Sequence, residues 1–435
     1  MIKINKNFFF FDIIFLMAGI AVIALKNDNK QLPLIGFILT ALGLYMMYKS
    51  SKNRLLSYIM LIISMINICI GVNDFIRLGV GISEWQSTML RASEYNVITA
   101  KALLLFNIIL NLFLNGEVCE ERDVLKDIWY IRKTRKSVAW TLYVFLLGIL
   151  AYALINEIPK HVSGQYESVE NPIYEYSILL FILAWLYSNK MKNFTFCMIV
   201  YAIAFAGVFL IVGDRSSASM YLIFLLVIFY RGKMNFGKMV FVSCGAILFF
   251  NFFAIIRHST DLTLVNLFEQ MLERGLYQDT ASWAYYTSIA IVGVTYHFTD
   301  RILLFGGFLS SLLGIDSEYS SMAIFAREYS SEFYNAGGGI FPSHFMAWLR
   351  YPGVILSAIM VGILIKKIFL CRSRVSLFYS LLIVVFGIRW YAYSPTNLFR
   401  SVFMIGGLAF IAFKVIDCML VKKKYVLPNA KNKDI

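Results

Sequence analysis

The sequence predicts an all-α polytopic integral membrane protein. It would have about twelve transmembrane helices, up to fourteen, both termini in the cytoplasm and one long external loop. Three observations lead there. Hydrophobic residues make up 59% of the 435 and charged residues 15%, where a soluble domain carries about 25% charged residues. Mean hydropathy is +0.70. Apolar runs near the ~20 residues that a helix needs to cross a bilayer recur along the chain. A membrane β-barrel would instead show alternating segments of about ten residues.

The runs fall near 8–25, 33–48, 55–72, 97–114, 138–156, 174–188, 194–212, 217–230, 239–256, 344–365, 375–390 and 398–420. The connections between them order the topology. Every second one is rich in Lys and Arg. Lys3 and Lys6 precede the first run. Lys49, Lys52 and Arg54 follow the second, and Arg132, Lys133, Arg135 and Lys136 follow the fourth. Further on come Lys190 and Lys192, then Arg231, Lys233 and Lys238, then Lys366, Lys367, Arg372 and Arg374, and finally Lys422 to Lys424. The opposite set carries Asp74, Glu84, Glu94, Glu157, Glu167 and Glu170. Basic connections stay inside, so this set is external.

The sequence therefore divides into four parts. Residues 1–256 form an N-terminal bundle of about nine helices. Residues 257–343 form the long external loop, where 285–296 and 302–315 are apolar but short and read as re-entrant or interfacial helices. Residues 344–420 return to the membrane, and 421–435 read as a disordered cytoplasmic tail. Segment 73–96 reads as an amphipathic surface helix. The N-terminus is basic then apolar without a small-residue cleavage site, which predicts an uncleaved first span. The cysteines lie mostly in or beside spans and never in CxxC spacing, so neither a disulfide nor a zinc site is expected.

The net charge of +14 does not indicate nucleic acid, because most of the excess sits in the cytoplasmic connections. The sequence holds no Walker A, HExxH or GxSxG motif and no DxD nucleotide-sugar site. Few ionisable residues fall in mid-span, which argues against an ion-coupled transporter. No metal and no cofactor is expected.

The candidate residues lie at the external ends of spans. Between 257 and 350 there is no lysine, and every cation is an arginine, whose planar fork suits phosphate and carboxylate. Arg215 follows a tight turn in which Asp214 or Ser216 caps the next helix, a place suited to an anion. Arg257 and His258 leave the ninth run. Gly337 to Gly339 lead into Phe341-Pro342-Ser343, with Ser343 as a plausible cap, His344 in the first turn and Arg350 about two turns on. A glycine turn entering a helix is a possible anion cradle. Arg389 and Arg400 bracket the last external connection; boundary charges of this kind are costly and mark functional sites.

The chain resembles the Wzy-type oligosaccharide repeat-unit polymerases, the O-antigen and capsule polymerases of bacteria. The architecture carries the resemblance over the whole chain, together with three local patterns. These are Gly213, Arg215 and Ser216 opening a span that ends at Tyr230-Arg231-Gly232-Lys233, the 337–343 motif followed by the Tyr351-Pro352-Gly353 break, and the arginine-bearing final loop. The second large external loop of many members is small here, at 157–173. The resemblance implies glycan transfer at the outer face of the bacterial cytoplasmic membrane, from an undecaprenyl-pyrophosphate-linked chain to a lipid-linked repeat unit. Flippase and chain-length regulator proteins would be its companions. It implies His344, then His258, as base for the acceptor hydroxyl, with Asp214, Asp261 and Glu332 less favoured. Arg215, Arg257 and Arg389 would bind pyrophosphate, with Arg400, Arg350, Gly338 and Ser343 contributing to the substrate site. The alternatives are an O-antigen ligase-like transferase, or a flippase of lipid-linked oligosaccharide. A flippase would place charges along several spans around a central cavity.

Overall fold

The computed structural model describes residues 6–51, 54–76, 93–114, 136–157, 172–188, 191–212, 214–230, 234–258, 265–266, 269, 280–295, 297–315, 319, 338–370 and 374–425. Among them there is no strand. The helices are α1 (Lys6–Ala24), α2 (Leu32–Ser50), α3 (Arg54–Ile70), α4 (Glu94–Phe113), α5 (Lys136–Asn156), α6 (Pro172–Ser188), α7 (Lys192–Val212) and α8 (Arg215–Phe229). They continue with α9 (Phe236–His258), α10 (Thr280–Val294), α11 (Phe298–Leu313), α12 (Phe341–Leu370), α13 (Arg374–Val385), α14 (Gly387–Ala392) and α15 (Gly406–Tyr425). A π-helical turn, Gly71–Ile76, ends α3, and another, Asn397–Ile405, leads into α15.

This is a polytopic membrane protein. Among the described residues seven helices are long and apolar enough to cross a bilayer, and five shorter apolar helices accompany them. The peripheral helices present large apolar side chains outward: Phe145 on α5 is 63% exposed, Ile155 72%, and Leu408 on α15 67%. Water would penalise such faces, at roughly 25 cal/mol per Å², whereas lipid does not. The centre is built from α3, α4, α10 and the first half of α12, and α12 packs closely along α4.

Hydrogen bonds between buried polar groups join the helices, as a low-dielectric interior favours. Lys49 on α2 and Asp12 on α1 pair at 3.0 Å. Lys49 also donates to the Asn111 carbonyl on α4 at 2.9 Å, and Asn111 Nδ2 donates to Asp12. Nearer the opposite end, Asn67 on α3 donates to Asn107 on α4 at 2.7 Å, and the Tyr391 hydroxyl on α14 donates to Asn67 at 2.8 Å.

Helices α10 and α11 form a hairpin alongside α12. Near its start α10 meets the ends of α3 and α4: Ser282 and Tyr286 both donate to Asp74 at 2.9 Å, and Tyr285 to Asn96 at 2.8 Å. Further along, Ser288 accepts from the Ile340 amide at 2.8 Å, and at its far end the Thr295 carbonyl accepts from Arg350 at 2.7 Å. The first ten residues of α12, about 15 Å of helix, thus run parallel to α10. Helix α11 comes back: Phe308 packs on Trp348 with centroids 4.6 Å apart, and the Ser311 hydroxyl reaches Thr396 at 3.1 Å.

α12 breaks at Arg350, whose φ of 58° and ψ of −151° are not helical. Pro352 has no N–H for the Trp348 carbonyl, and its ring crowds that carbonyl, so the aromatic-Pro-Gly signal and the break coincide.

Several boundaries differ from the sequence reading. α12 starts at Phe341, with Ile340 preceding it, so Ser343 lies inside the first turn and does not cap it; its hydroxyl donates to the Ile340 carbonyl and to Ser288. The missing N–H of Pro342 fits this start, because first-turn N–H groups have no intrahelical partner. Residues 257–258 continue α9 rather than opening the loop. The run 375–390 is two helices, α13 and α14. α15 continues to Tyr425, so 421–425 are helical where a disordered tail was expected. Most of segment 73–96 lies outside the described residues.

Candidate functional site

The start of α6, the end of α11, the start of α12 with the segment before it, α14 with the turn after it, and the π-helical turn Asn397–Ile405 enclose a polar cavity of about 350 Å³. Its wall is rich in hydroxyl and amide groups: Tyr176, Ser311, Ser394, Thr396, Asn397 and Ser401. Its charged members are Glu175, Arg389 and Arg400, and His344, Gly338 and Tyr393 complete it. The volume and the few charged groups among neutral hydrogen-bonding ones suit a small polar ligand.

Arg389 is the most constrained of these. One Nη lies 2.7 Å from Glu175 Oε1 and 3.8 Å from Asp214 Oδ1. Its guanidinium sits over the Tyr393 ring at 5.6 Å, and its buried Nε has no hydrogen-bond partner among the described residues. Asp214 is the N-cap of α8. It accepts from the Ser217 amide at 3.1 Å and from the Ser216 and Ser217 hydroxyls. This cap holds the carboxylate where Arg389 can reach it.

Arg400 differs. Among the described residues no carboxylate lies within ion-pair distance of it. It donates to the Ser311 carbonyl at 3.2 Å and so closes the end of α11. Gly314 follows with φ +77° in the left-handed region, and a Cβ there would stand 3.1 Å from Arg400 Nη2.

His344 is 2% exposed. Its Nε2 lies 3.1 Å from the Gly339 carbonyl. A carbonyl only accepts, so Nε2 carries the hydrogen. The Tyr393 carbonyl also faces the imidazole. Gly338 lies against that same carbonyl: a Cβ at 338 would collide with it, so glycine is required for the two segments to meet.

The cavity therefore gathers His344, Gly338, Arg389 and Arg400 of the residues singled out from sequence. Arg215 lies next door, in a smaller and mostly apolar cleft of about 90 Å³ lined also by Met65, Ile66, Cys69, Phe250 and Asn251. Tyr393 borders both spaces. Arg350 and Ser343 do not line the cavity. Arg350 donates to the Val292 and Thr295 carbonyls at the end of α10, and Ser343 is bonded to Ser288. The side chains of Arg257 and His258, and the whole of Gly213, Asp261 and Glu332, lie outside the described residues. Sequence reasoning passed over Glu175. An acid inside the apolar run 174–188 was the available signal, because acids within spans mark functional sites.

Among the described residues no group of His, Cys, Asp and Glu suits a metal ion. Fold and cavity together define a helical membrane protein with a polar pocket at one end of its bundle. Compared with protein-family models, with curated proteins and with solved structures, the chain matches none.

Proposed function

We propose that the chain is a membrane glycosyltransferase that polymerises undecaprenyl-pyrophosphate-linked repeat units at the outer face of the bacterial cytoplasmic membrane. The product is a surface polysaccharide, O-antigen or capsule. In this reading the seven long and five shorter apolar helices are twelve crossings with both termini inside, and α10–α11 is a re-entrant hairpin entering from outside. Re-entrant backbone is tolerated where protein covers it, and the burial of α10 fits that condition.

The observation that carries the reading is the cavity. It lies at the end of the bundle that the charge alternation assigns to the exterior, and its hydroxyl and amide wall suits a sugar. Arg400 is the cation open to an anion, since Arg389 is already engaged by Glu175 and Asp214. A lipid pyrophosphate leaves with developing negative charge, and a pre-placed guanidinium offsets it. No nucleotide is required, because the pyrophosphate already activates the sugar. The chain's contribution is to hold donor and acceptor together, to offset charge and to accept the acceptor's proton.

The test is the surface glycan of a strain lacking this chain, resolved on a gel. Single repeat units on the final acceptor, without longer chains, are expected. Loss of even single units indicates a flippase. Accumulation of long chains still on the lipid carrier indicates a ligase. Either result overturns the proposal.

A further inference from the structure

Glycosyl transfer to a hydroxyl needs somewhere for the hydroxyl proton to go, and among the described residues three groups in or beside the cavity are able to take one: His344, Asp214 and Glu175. Their surroundings separate them. Asp214 accepts from one amide and two serine hydroxyls and is approached by Arg389, so its lone pairs are occupied by the α8 cap. His344 is buried, its Nε2–H is directed at the Gly339 carbonyl, and a second carbonyl, of Tyr393, faces the ring. Carbonyl neighbours make it a donor to backbone and leave a hydroxyl little room. Glu175 lines the cavity with a quarter of its side chain exposed, and Arg389 holds Oε1 at 2.7 Å. Among the described residues Arg389 is the one group that Glu175 pairs with, which leaves Oε2 with open lone pairs.

Resting on the glycan-transfer reading of this cavity, we infer that Glu175 is the catalytic base, that Arg389 is the residue that positions it, and that His344 shapes the wall by joining Gly339 to Tyr393. In the step, the acceptor hydroxyl oxygen forms a bond to the anomeric carbon of the donor sugar. Its proton passes to Glu175 Oε2. The bond between the anomeric carbon and the pyrophosphate oxygen breaks, and the lipid pyrophosphate leaves with the electron pair. Arg389 is thereby assigned to the acceptor side, and Arg400 remains for the leaving group. The position of Glu175 in the first turn of α6 sets the carboxylate on a rigid element rather than on a loop, as a base acting at a fixed distance requires.

The experiment uses the full-length protein in detergent or liposomes with a synthetic lipid-pyrophosphate-linked repeat unit, following chain length and initial rates. General-base catalysis is typically worth 10²–10⁴-fold. Glu175→Gln is therefore expected to lower kcat by about 100-fold or more, with the donor KM within about threefold and an unchanged elution profile. Should Glu175→Gln fold poorly, Glu175→Asp takes its place. It keeps the charge and draws the carboxylate back by one methylene, and a fall in kcat of at least about tenfold at wild-type stability supports the same conclusion. A Glu175→Gln protein with near wild-type kcat overturns the inference. So does a His344→Gln protein that loses more kcat than Glu175→Gln at equal stability. If the wild-type protein forms no polymer from this substrate, the polymerase reading itself falls.

Discussion

Arg350 Nη2 donates to the Thr295 carbonyl at 2.7 Å, from a backbone held at φ 58° and ψ −151°. That combination is all but restricted to glycine and costs about 1–3 kcal/mol for other residues. The strain is accepted because the α10 C-terminus is buried and its last carbonyls have no partner in their own helix. Arg350→Ala loses the bond and keeps the strain, whereas Arg350→Gly loses the bond and relieves it. The glycine variant is expected to melt above the alanine variant, and Arg350→Ala to cost about 1.5–3 kcal/mol against wild type, the worth of a charged hydrogen bond. Thermal unfolding in detergent measures both; an alanine variant at or above the glycine one contradicts the assignment.

Gly338 and Gly314 are expected to resist substitution for different reasons. At 338 a methyl group collides with the Tyr393 carbonyl, so Gly338→Ala must move the 393–396 turn and distort the cavity. Glycan elongation should fall at least about tenfold, since a displacement near 1 Å can cost 10²-fold. At 314 the backbone is left-handed, and Gly314→Ala costs about 1–2 kcal/mol with a smaller effect on rate. A rate assay run beside a melt separates the two.

Breaking one side of the buried Asp12–Lys49 pair leaves a charge without compensation. Asp12→Ala is expected to destabilise by about 3–5 kcal/mol. Replacing both, as Asp12→Leu with Lys49→Met, removes the orphaned charge and is expected to be better tolerated than either single change. Expression yield and melting temperature report the order, and a double variant worse than both singles refutes it.

The proposed topology is open to labelling. In a cysteine-free background, Lys30→Cys is expected to react with a membrane-impermeant thiol reagent from outside, and Ser51→Cys only from inside. His297→Cys, at the α10–α11 turn, is expected to be shielded from the cytoplasmic side. Cytoplasmic labelling at 297 makes the hairpin two full crossings and removes the re-entrant description.

The helical frame was readable because apolar run length is tied to bilayer thickness, and each of the twelve runs coincides with helix. The break in α12 was readable from Pro352 and Gly353. Pairings between distant segments were not. Nothing local to Arg350 says that it meets a helix end 55 residues earlier, so the side chain read as an anion ligand. Glu175 was overlooked because it sits inside an apolar run, and its significance depends on Arg389 and Asp214 arriving from two other helices. Arg389 and Arg400 were found because charge at a span boundary is conspicuous in any sequence, but that one is engaged by acids and the other is not is a matter of three-dimensional neighbours.

The arginine clasp on the hairpin also bears on how the chain is made. Arg350 and Arg400, which the ribosome adds later, reach back to the ends of α10 and α11, where the Thr295 and Ser311 carbonyls also accept locally from Arg301 and from the Gly314 amide. At about 5–20 residues per second, Arg400 follows Leu313 by on the order of ten seconds. During that interval the newborn hairpin has its local bonds, from Arg301 to Thr295 and from the Gly314 amide to Ser311, but not the two arginine clasps that tie it to α12 and to the turn before α15. The pocket wall that includes Ser311 therefore closes as one of the last events of assembly, and a truncation before Arg400 would leave the frame largely built but the chamber unsealed.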